Sequence, residues 1–192
     1  MAKIGMMKPK YSVITISQDE SGKETEAYGP VKVFGKAINA TSSINTADAE
    51  MHADDGVAET ASEFISGQLT MTTDDIEDQV EADVTGATLD TETGTITNRD
   101  TDKAPFVRLG YISRRQKNNV VQYRGVIFTK AQFGALPDDN ETKGGNIVFK
   151  PTQTVAKLMR NVRHEWRVKS AWMAGESEAE AWLDENLAPN NV

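Results

Sequence analysis

Hydrophobic and polar positions in this chain alternate far more often than they recur at helical spacing, and the alternation comes in short blocks. Tyr11-Ser-Val-Ile-Thr-Ile-Ser17 is rich in β-branched residues and runs into a polar turn from Gln18 to Glu26 that contains Gly22, the pattern of a strand ending in a reversal. Val31-Lys-Val-Phe34 follows Gly29-Pro30 as a second short strand. From Ile44 to Ala53, Ala47, Ala49 and Met51 alternate with Asp48, Glu50 and His52, which predicts a half-buried strand with an acidic outer face. Gln68-Leu-Thr-Met-Thr72 repeats the alternation. Pro105 to Ser113 sets Val107, Leu109 and Tyr111 against Phe106, Arg108 and Ile112; Asn118-Asn119 supplies a turn, and Val120 to Thr129 returns as the partner strand. That pair is the strongest hairpin in the chain. A loop over Asn140 to Gly145, a strand over Asn146 to Lys150 and another over Thr152 to Met159 follow. Val162, His164, Trp166 and Val168 alternate with Arg163, Glu165, Arg167 and Lys169 and predict a last strand with one buried face.

The period changes twice. Ile76, Val80 and Val84 stand four apart and make the apolar stripe of a short helix. Asp74 with Glu77 three residues later has the form of a capping box, and Gly86 is a natural stop. Near the end, Ser177 and Glu180 suggest a second capping box for a helix whose Ala179, Trp182, Leu183 and Leu187 share a face and which Pro189 terminates. Thr88 to Asp102 is polar, with Leu89 and Ile96 its apolar positions, and reads as a weak hairpin or a mobile loop. Many short strands with one internal helix predict a mainly β protein, a sandwich or barrel. The expected division is a β domain over 1–175 and a C-terminal helix or arm over 176–192.

At 192 residues, with 38% hydrophobic and 26% charged positions, the chain suits one domain with one core. It has no cysteine, so disulfides and thiolate metal sites are excluded. The first ten residues hold no apolar run fit for a signal peptide, and no segment approaches the length that spans a bilayer, so a soluble protein is expected. The net charge of −8 hides a partition. From Asn45 to Asp102, Arg99 is the only Lys or Arg. From Lys103 to Trp172, Arg108, Arg114, Arg115, Lys117, Arg124, Arg160, Arg163 and Arg167 face only Asp138, Asp139, Glu141 and Glu165. Such blocks are either solvated faces of one domain or complementary patches of neighbouring protomers; unlike patches that meet give rings or filaments.

The motifs of catalysis are missing. No serine lies in Gly-x-Ser-x-Gly, and neither Gly-x-Gly-x-x-Gly nor a P-loop occurs. His164 falls on the apolar side of its block, as a core or interface histidine would; His52 sits beside Glu50 and near Asp54, where a solvated turn explains it as well as a metal site. Asp54-Asp55-Gly56 lacks the alternating oxygen ligands and the distant Glu of an EF-hand. No cofactor is expected. Arg114, Arg115 and Lys117, beside Tyr111 and Tyr123, are the best candidates for gripping phosphates, but the pI near 4.9 favours pairing with acidic protein.

From Met51 to Gly86 an aspartate-rich turn, a Ser-Phe loop, a Leu-Thr strand and an Asp-Asp helix start succeed one another, through Asp54, Asp55, Gly56, Ala58, Glu59, Phe64, Gly67, Leu69, Thr70, Asp74, Asp75, Val80 and Gly86. With Lys103-Ala-Pro-Phe-Val-Arg-Leu-Gly-Tyr111 and the aromatic strand around Trp166, this succession resembles the major tail, or tail tube, proteins of long-tailed siphophages. Ile65-Ser66, where more glycine is usual, and the Ser177 to Ala188 helix depart from that pattern. The resemblance implies a two-sheet β-sandwich with a flanking helix, forming hexameric rings that stack into a hollow tube. The tube would enclose the tape measure protein, meet tail terminator and distal tail proteins at its ends, and pass DNA without binding it specifically; its place would be the virion tail. Within it, Asp54, Asp55, Glu59, Glu63 and Phe64 would contact Arg114, Arg115 and Lys117 of a neighbour, and Asp48 and Glu50 would face the lumen. Rival readings are a secretion-system or bacteriocin tube or a capsid decoration protein, and a small hydrolase or metal-binding β-protein built on His52.

Overall fold

The computed structural model describes residues 2–53, 56–137 and 150–189. The loop expected at 140–145 and most of the strand expected at 146–150 lie outside them. The described chain is mainly β and antiparallel: β1 (Ala2–Gln18), β2 (Glu24–Tyr28), β3 (Lys32–Val33), β4 (Ala37–Ala53), β5 (Gly56–Thr73), α1 (Asp78–Thr85), β6 (Thr88–Asp90), β7 (Thr95–Thr97), β8 (Phe106–Lys117), β9 (Val120–Phe133), β10 (Thr152–Met159), β11 (Arg167–Lys169) and α2 (Glu176–Leu187).

Of the sandwich and barrel forms expected, the main sheet is nearer the second: one hydrogen-bonded path runs β2-β1-β8-β9-β10-β5-β4, with β3 added to β1 and β11 to β9. The link is β10, whose Ala156 pairs with Phe133 on one side and Leu69 on the other. Both halves nonetheless face one core: Tyr11, Val107, Leu109 and Phe128 from the first half meet Leu69, Met71, Ala156 and Leu158 from the second. The sheet therefore curls on itself, with Met6 of β1 and Ala40 of β4 packed against the same cluster. Phe34 closes the interior, stacked on Phe133 at 5.3 Å and edge-on to Tyr11 at 5.9 Å, geometries that aromatic pairs prefer.

The β8–β9 hairpin turns at Asn118-Asn119 with φ of 50° and 60°, the left-handed pair that a two-residue turn needs and asparagine tolerates. β6 and β7 form a small hairpin of their own. Helix α1 buries Val80, Ala82 and Val84, and Gly86 ends it at φ 80°, its N–H reaching Ala82 O at 3.0 Å. A Cβ there would stand 2.4 Å from Lys103 O. The expected capping box at its start is absent: the N-cap is Glu77, without a side-chain cap bond, and Asp74 instead accepts the Lys36 N–H at 2.8 Å. What ties α1 down is Asp83, which accepts from Tyr11 Oη at 2.7 Å, from Lys32 Nζ and from Gln79 Nε2 at 2.9 Å. Burial pushes that carboxyl's pKa up, but hydrogen bonds from Lys32, Tyr11 and Gln79 outweigh it and hold the pKa below the usual range.

Helix α2 lies on the outer side of β8 and β9, burying Ala179, Leu183 and Leu187 against Ile112 and Ile127. Two glycines admit it: a Cβ on Gly110 would meet Leu183 Cδ1 at 2.7 Å, and one on Gly125 would meet Trp182 Cε3 at 2.3 Å. The helix begins one residue before Ser177, and Glu178 accepts the Gly175 N–H at 3.4 Å. Glu180 is not the expected capping partner; it binds Lys8 Nζ at 2.6 Å and Lys10 Nζ at 2.9 Å, while Lys8 also meets Glu176 and Lys10 meets Asp184. These bonds staple the irregular start of β1, where Lys8 has φ 51° and the register shifts, to the C-terminal helix.

Two further sequence expectations fail. Residues 162–165 are not strand: Asn161 accepts the Arg163 and Glu165 N–H groups at 3.0 and 2.8 Å and folds them into a turn. His164 is therefore exposed, at φ 62°, rather than a core histidine. The second is the strand containing Asp48, whose described side chains from Asn45 to Glu50 are exposed on both faces, not half-buried.

Candidate assembly surfaces

β4 and β5 pair far beyond the core. Up to Gly67 the ladder is packed, with Leu69 and Met71 buried. Phe64 is the last anchor: 9% exposed, stacked on Trp166 at 4.8 Å with the rings 4° from parallel. Arg160 clamps it, meeting Glu63 Oε1 at 3.0 Å and donating to Phe64 O. Ile65 is skipped in the register and left 60% exposed. Past this point the pairs Ala47–Glu63, Asp48–Ser62, Ala49–Ala61 and Glu50–Thr60 leave the core as a two-stranded arm, with every one of these side chains exposed. From Thr46 to Ala53 it reaches on the order of 25 Å at about 3.3 Å per residue.

Of the expected contact residues, Glu63 lies on this arm and Phe64 at its root, where it serves its own chain's core. Asp48 is on the arm and accepts from Thr46 Oγ1 at 3.2 Å; Glu50 lies two residues further along the same strand. Glu59 pairs with Met51 through its backbone. Asp54 and Asp55 lie outside the described residues. Within 45–63 the sequence holds Asp48, Glu50, Asp54, Asp55, Glu59 and Glu63 and no Lys or Arg.

The three bases singled out near the β8–β9 turn do not form one patch. Alternation puts Arg115 and Lys117 on one face of β8 and Arg114 on the other, opposite Tyr123. Arg114 Nε is buried without a partner. Arg115 binds Gln122 Oε1 through Nε and Nη2 at 3.0 and 2.9 Å, and its guanidinium lies 3.9 Å from the Trp172 ring centroid. Arg124 approaches the same ring at 4.9 Å and donates to Ser170 O at 2.7 Å. Sequence reasoning missed Trp172 and its neighbours. The signal was available only as the spacing of Arg167 and Lys169, two apart on one strand face.

Among the described residues no group of three His, Asp or Glu is placed to hold a metal ion, and no helix is long and apolar enough to cross a membrane. The turn carrying His164 lines an open cleft with Lys23, Glu24, Thr25 and Arg163. No protein-family model matches the chain, and no curated protein matches it.

Proposed function

We propose that this chain is a self-assembling structural subunit, the major tail tube protein of a long-tailed, non-contractile phage. Hexameric rings of it stack into a hollow tube that encloses the tape measure protein, meets tail terminator and distal tail proteins at its ends and passes DNA during ejection. The observation that carries the reading is the exposed β4–β5 arm. An isolated two-stranded ribbon is marginal in water, and a long arm with unburied faces is suited to being completed by a neighbour. The curled antiparallel sheet adds to this, since its path ends at β2 and β4 and an edge strand readily pairs with another chain.

The residues that carry the sequence resemblance also have structural work where they are described. Phe64 roots the arm, Gly67 leaves room for Ile44 and Leu158, Leu69 and Val80 enter the core, and Gly86 turns the chain after α1. The acids of the arm suit a conduit, because negative charge beside the passage repels phosphates and lets DNA slide. In this reading Asp48 and Glu50 face the lumen; unchanged DNA ejection after their charge reversal would sink that assignment.

Electron microscopy of the purified chain tests the main reading. Rings or tubes of uniform width are expected. A monomer that persists across the whole accessible concentration range would overturn it.

A further inference from the structure

Five cations share one face of the sheet, and the backbone register puts them there. Lys3 is opposite Arg115 across β1 and β8. Arg115 is opposite Gln122, two residues before Arg124 on β9. Val126, the next residue on that face, is opposite Lys169, and Phe128 is opposite Arg167. Because directly paired residues point to the same side, Lys3, Arg115, Arg124, Lys169 and Arg167 form a row across four neighbouring strands. It lies on the inner side of the curl, the side of Phe128 and Leu109, where the sheet runs past the core.

The row is flanked by indoles. Trp172 takes Arg115 and Arg124 on its ring, and Trp166 takes Arg167 at 4.3 Å. Lys3 and Lys169 are exposed, and the three arginines are half-buried. Among the described residues none of the five forms an ion pair. Burial, then Arg167, Lys3 and Arg124, lower the Lys169 pKa, and no carboxylate opposes them. A chain of net charge −8 thus keeps a concentrated, unneutralised positive strip.

We propose that this strip is the seat for the acidic arm of a second copy of the chain, with Glu63, on the face of the ribbon opposite Asp48, among the carboxylates that meet it. The inference rests on the reading of the chain as an assembling subunit and names the contact between neighbours. Charge complementarity selects the occupant. The arm projects, its sequence carries six acids and no Lys or Arg, and its Glu63 meets none of the five cations in its own protomer. Guanidiniums held over indole rings are preorganised for carboxylates and lose little freedom on binding. Since arm and seat are different surfaces, the contact is heterologous and propagates from copy to copy. The seat also revises the residue set expected from sequence: Arg115 stays, while Lys117 at the turn and Arg114 on the opposite face are replaced by Lys3, Arg124, Arg167 and Lys169.

Charge exchange between two full-length variants tests it. Lys3→Glu with Lys169→Glu alters the seat at its two exposed lysines, and Glu59→Lys with Glu63→Lys alters the arm; circular dichroism confirms that both fold. Sedimentation velocity should show each variant self-associating on the order of tenfold more weakly than wild type. An equimolar mixture should recover association in one-to-one pairs, because the unaltered arm of the seat variant then meets the unaltered seat of the arm variant. Self-association that is unchanged in the seat variant, or no recovery on mixing, would overturn the inference. If tubes still form from the seat variant, this inference falls while the tube reading stands. If wild type makes arm-dependent oligomers that never close into rings, the tube reading falls and the inference stands, and a strictly monomeric wild type defeats both. Wild type that binds a labelled single-stranded oligonucleotide, with binding lost in the seat variant and association unaffected, would reassign the strip to nucleic acid.

Discussion

The β8–β9 hairpin and the β4–β5 hairpin have the same antiparallel pairing and similar strand lengths, yet opposite environments. In the first, Val107, Leu109, Phe128 and Ala131 are buried on the inner face, while Ile112 and Ile127 are buried under α2 on the outer face. In the second, burial stops at Phe64 and both faces of the outer half are solvated. Backbone hydrogen bonds are equivalent in the two, so they do not set the difference. Side-chain burial does: it makes one hairpin a scaffold and leaves the other dependent on what it touches. Under the proposed assembly, stability and contact between copies fall to separate hairpins of one sheet.

The sharpest way to break this contrast is to empty the scaffold. Phe128, 1% exposed, truncated to alanine should cost about 3–5 kcal/mol by chemical denaturation, from lost transfer energy and the cavity left behind. Ile65→Ala at the bulge of the arm should change stability by less than about 0.5 kcal/mol, as an exposed side chain with little packing to lose. Similar losses from both would show that the arm is folded as firmly as the core.

Next in size is the docking of α2. Gly110→Ala would place a Cβ 2.9 Å from the Val126 carbonyl as well as 2.7 Å from Leu183. The carbonyl belongs to the backbone of the central hairpin and cannot swing aside. A loss of about 1–3 kcal/mol is expected, in the range of overpacked sites. A wild-type melting temperature in Gly110→Ala would mean that α2 is not seated as described.

How these features relate to the sequence is instructive. β10 and the buried side of β5 were legible because each has one dry and one wet face, and alternation reports that difference; the β8–β9 pair, buried on both faces, was legible from two β-rich runs joined by Asn118-Asn119. The arm misled for the same reason: Ala47 and Ala49 alternate with Asp48 and Glu50, but alanine is small enough to stay in water, so the pattern does not require burial. Turn chemistry defeated the reading at 162–165, where Asn161 captures two backbone N–H groups and overrides four alternating residues. β2 was hidden in a segment that looked like a turn, and a partner far away in sequence helps hold it: Glu26, 5% exposed, lies 3.9 Å from Lys130. The cationic strip was invisible because its members come from β1, β8, β9 and β11, and only the register brings them together.

A smaller effect belongs to the staple between β1 and α2. Hydrogen bonds from Lys8 and then Lys10 hold the Glu180 carboxyl below the usual range, so its contribution is present above about pH 4.3 and fades as pH falls through its lower folded value. Lys8 is raised, chiefly by Glu176 and Glu180; its share persists below about pH 10.4 and is lost only as pH rises through the higher folded value. Between those limits the staple is constant. Glu180→Gln should therefore lower stability by about 0.5–1 kcal/mol at pH 7, with the gap to wild type closing toward pH 3. A gap that widens in acid would reverse the sign of the assignment.

The finest test reads the arm itself through amide hydrogen exchange, which reports local opening free energies. In dilute protein, amides in the Thr46–Glu50 and Thr60–Glu63 ladder should exchange far faster than those of Val126–Phe128, because opening the ribbon exposes almost no new apolar surface. At concentrations where copies associate, protection should rise on the arm and change little in the scaffold, since only the arm gains a face to pack on. The two outcomes are separable. Strong protection in the dilute state would mean that the ribbon needs no partner, removing the reason for reading it as an assembly element. Weak protection that persists after association would leave the arm a stable solvated projection and place the contacts between copies elsewhere, at the edges presented by β2 or β4.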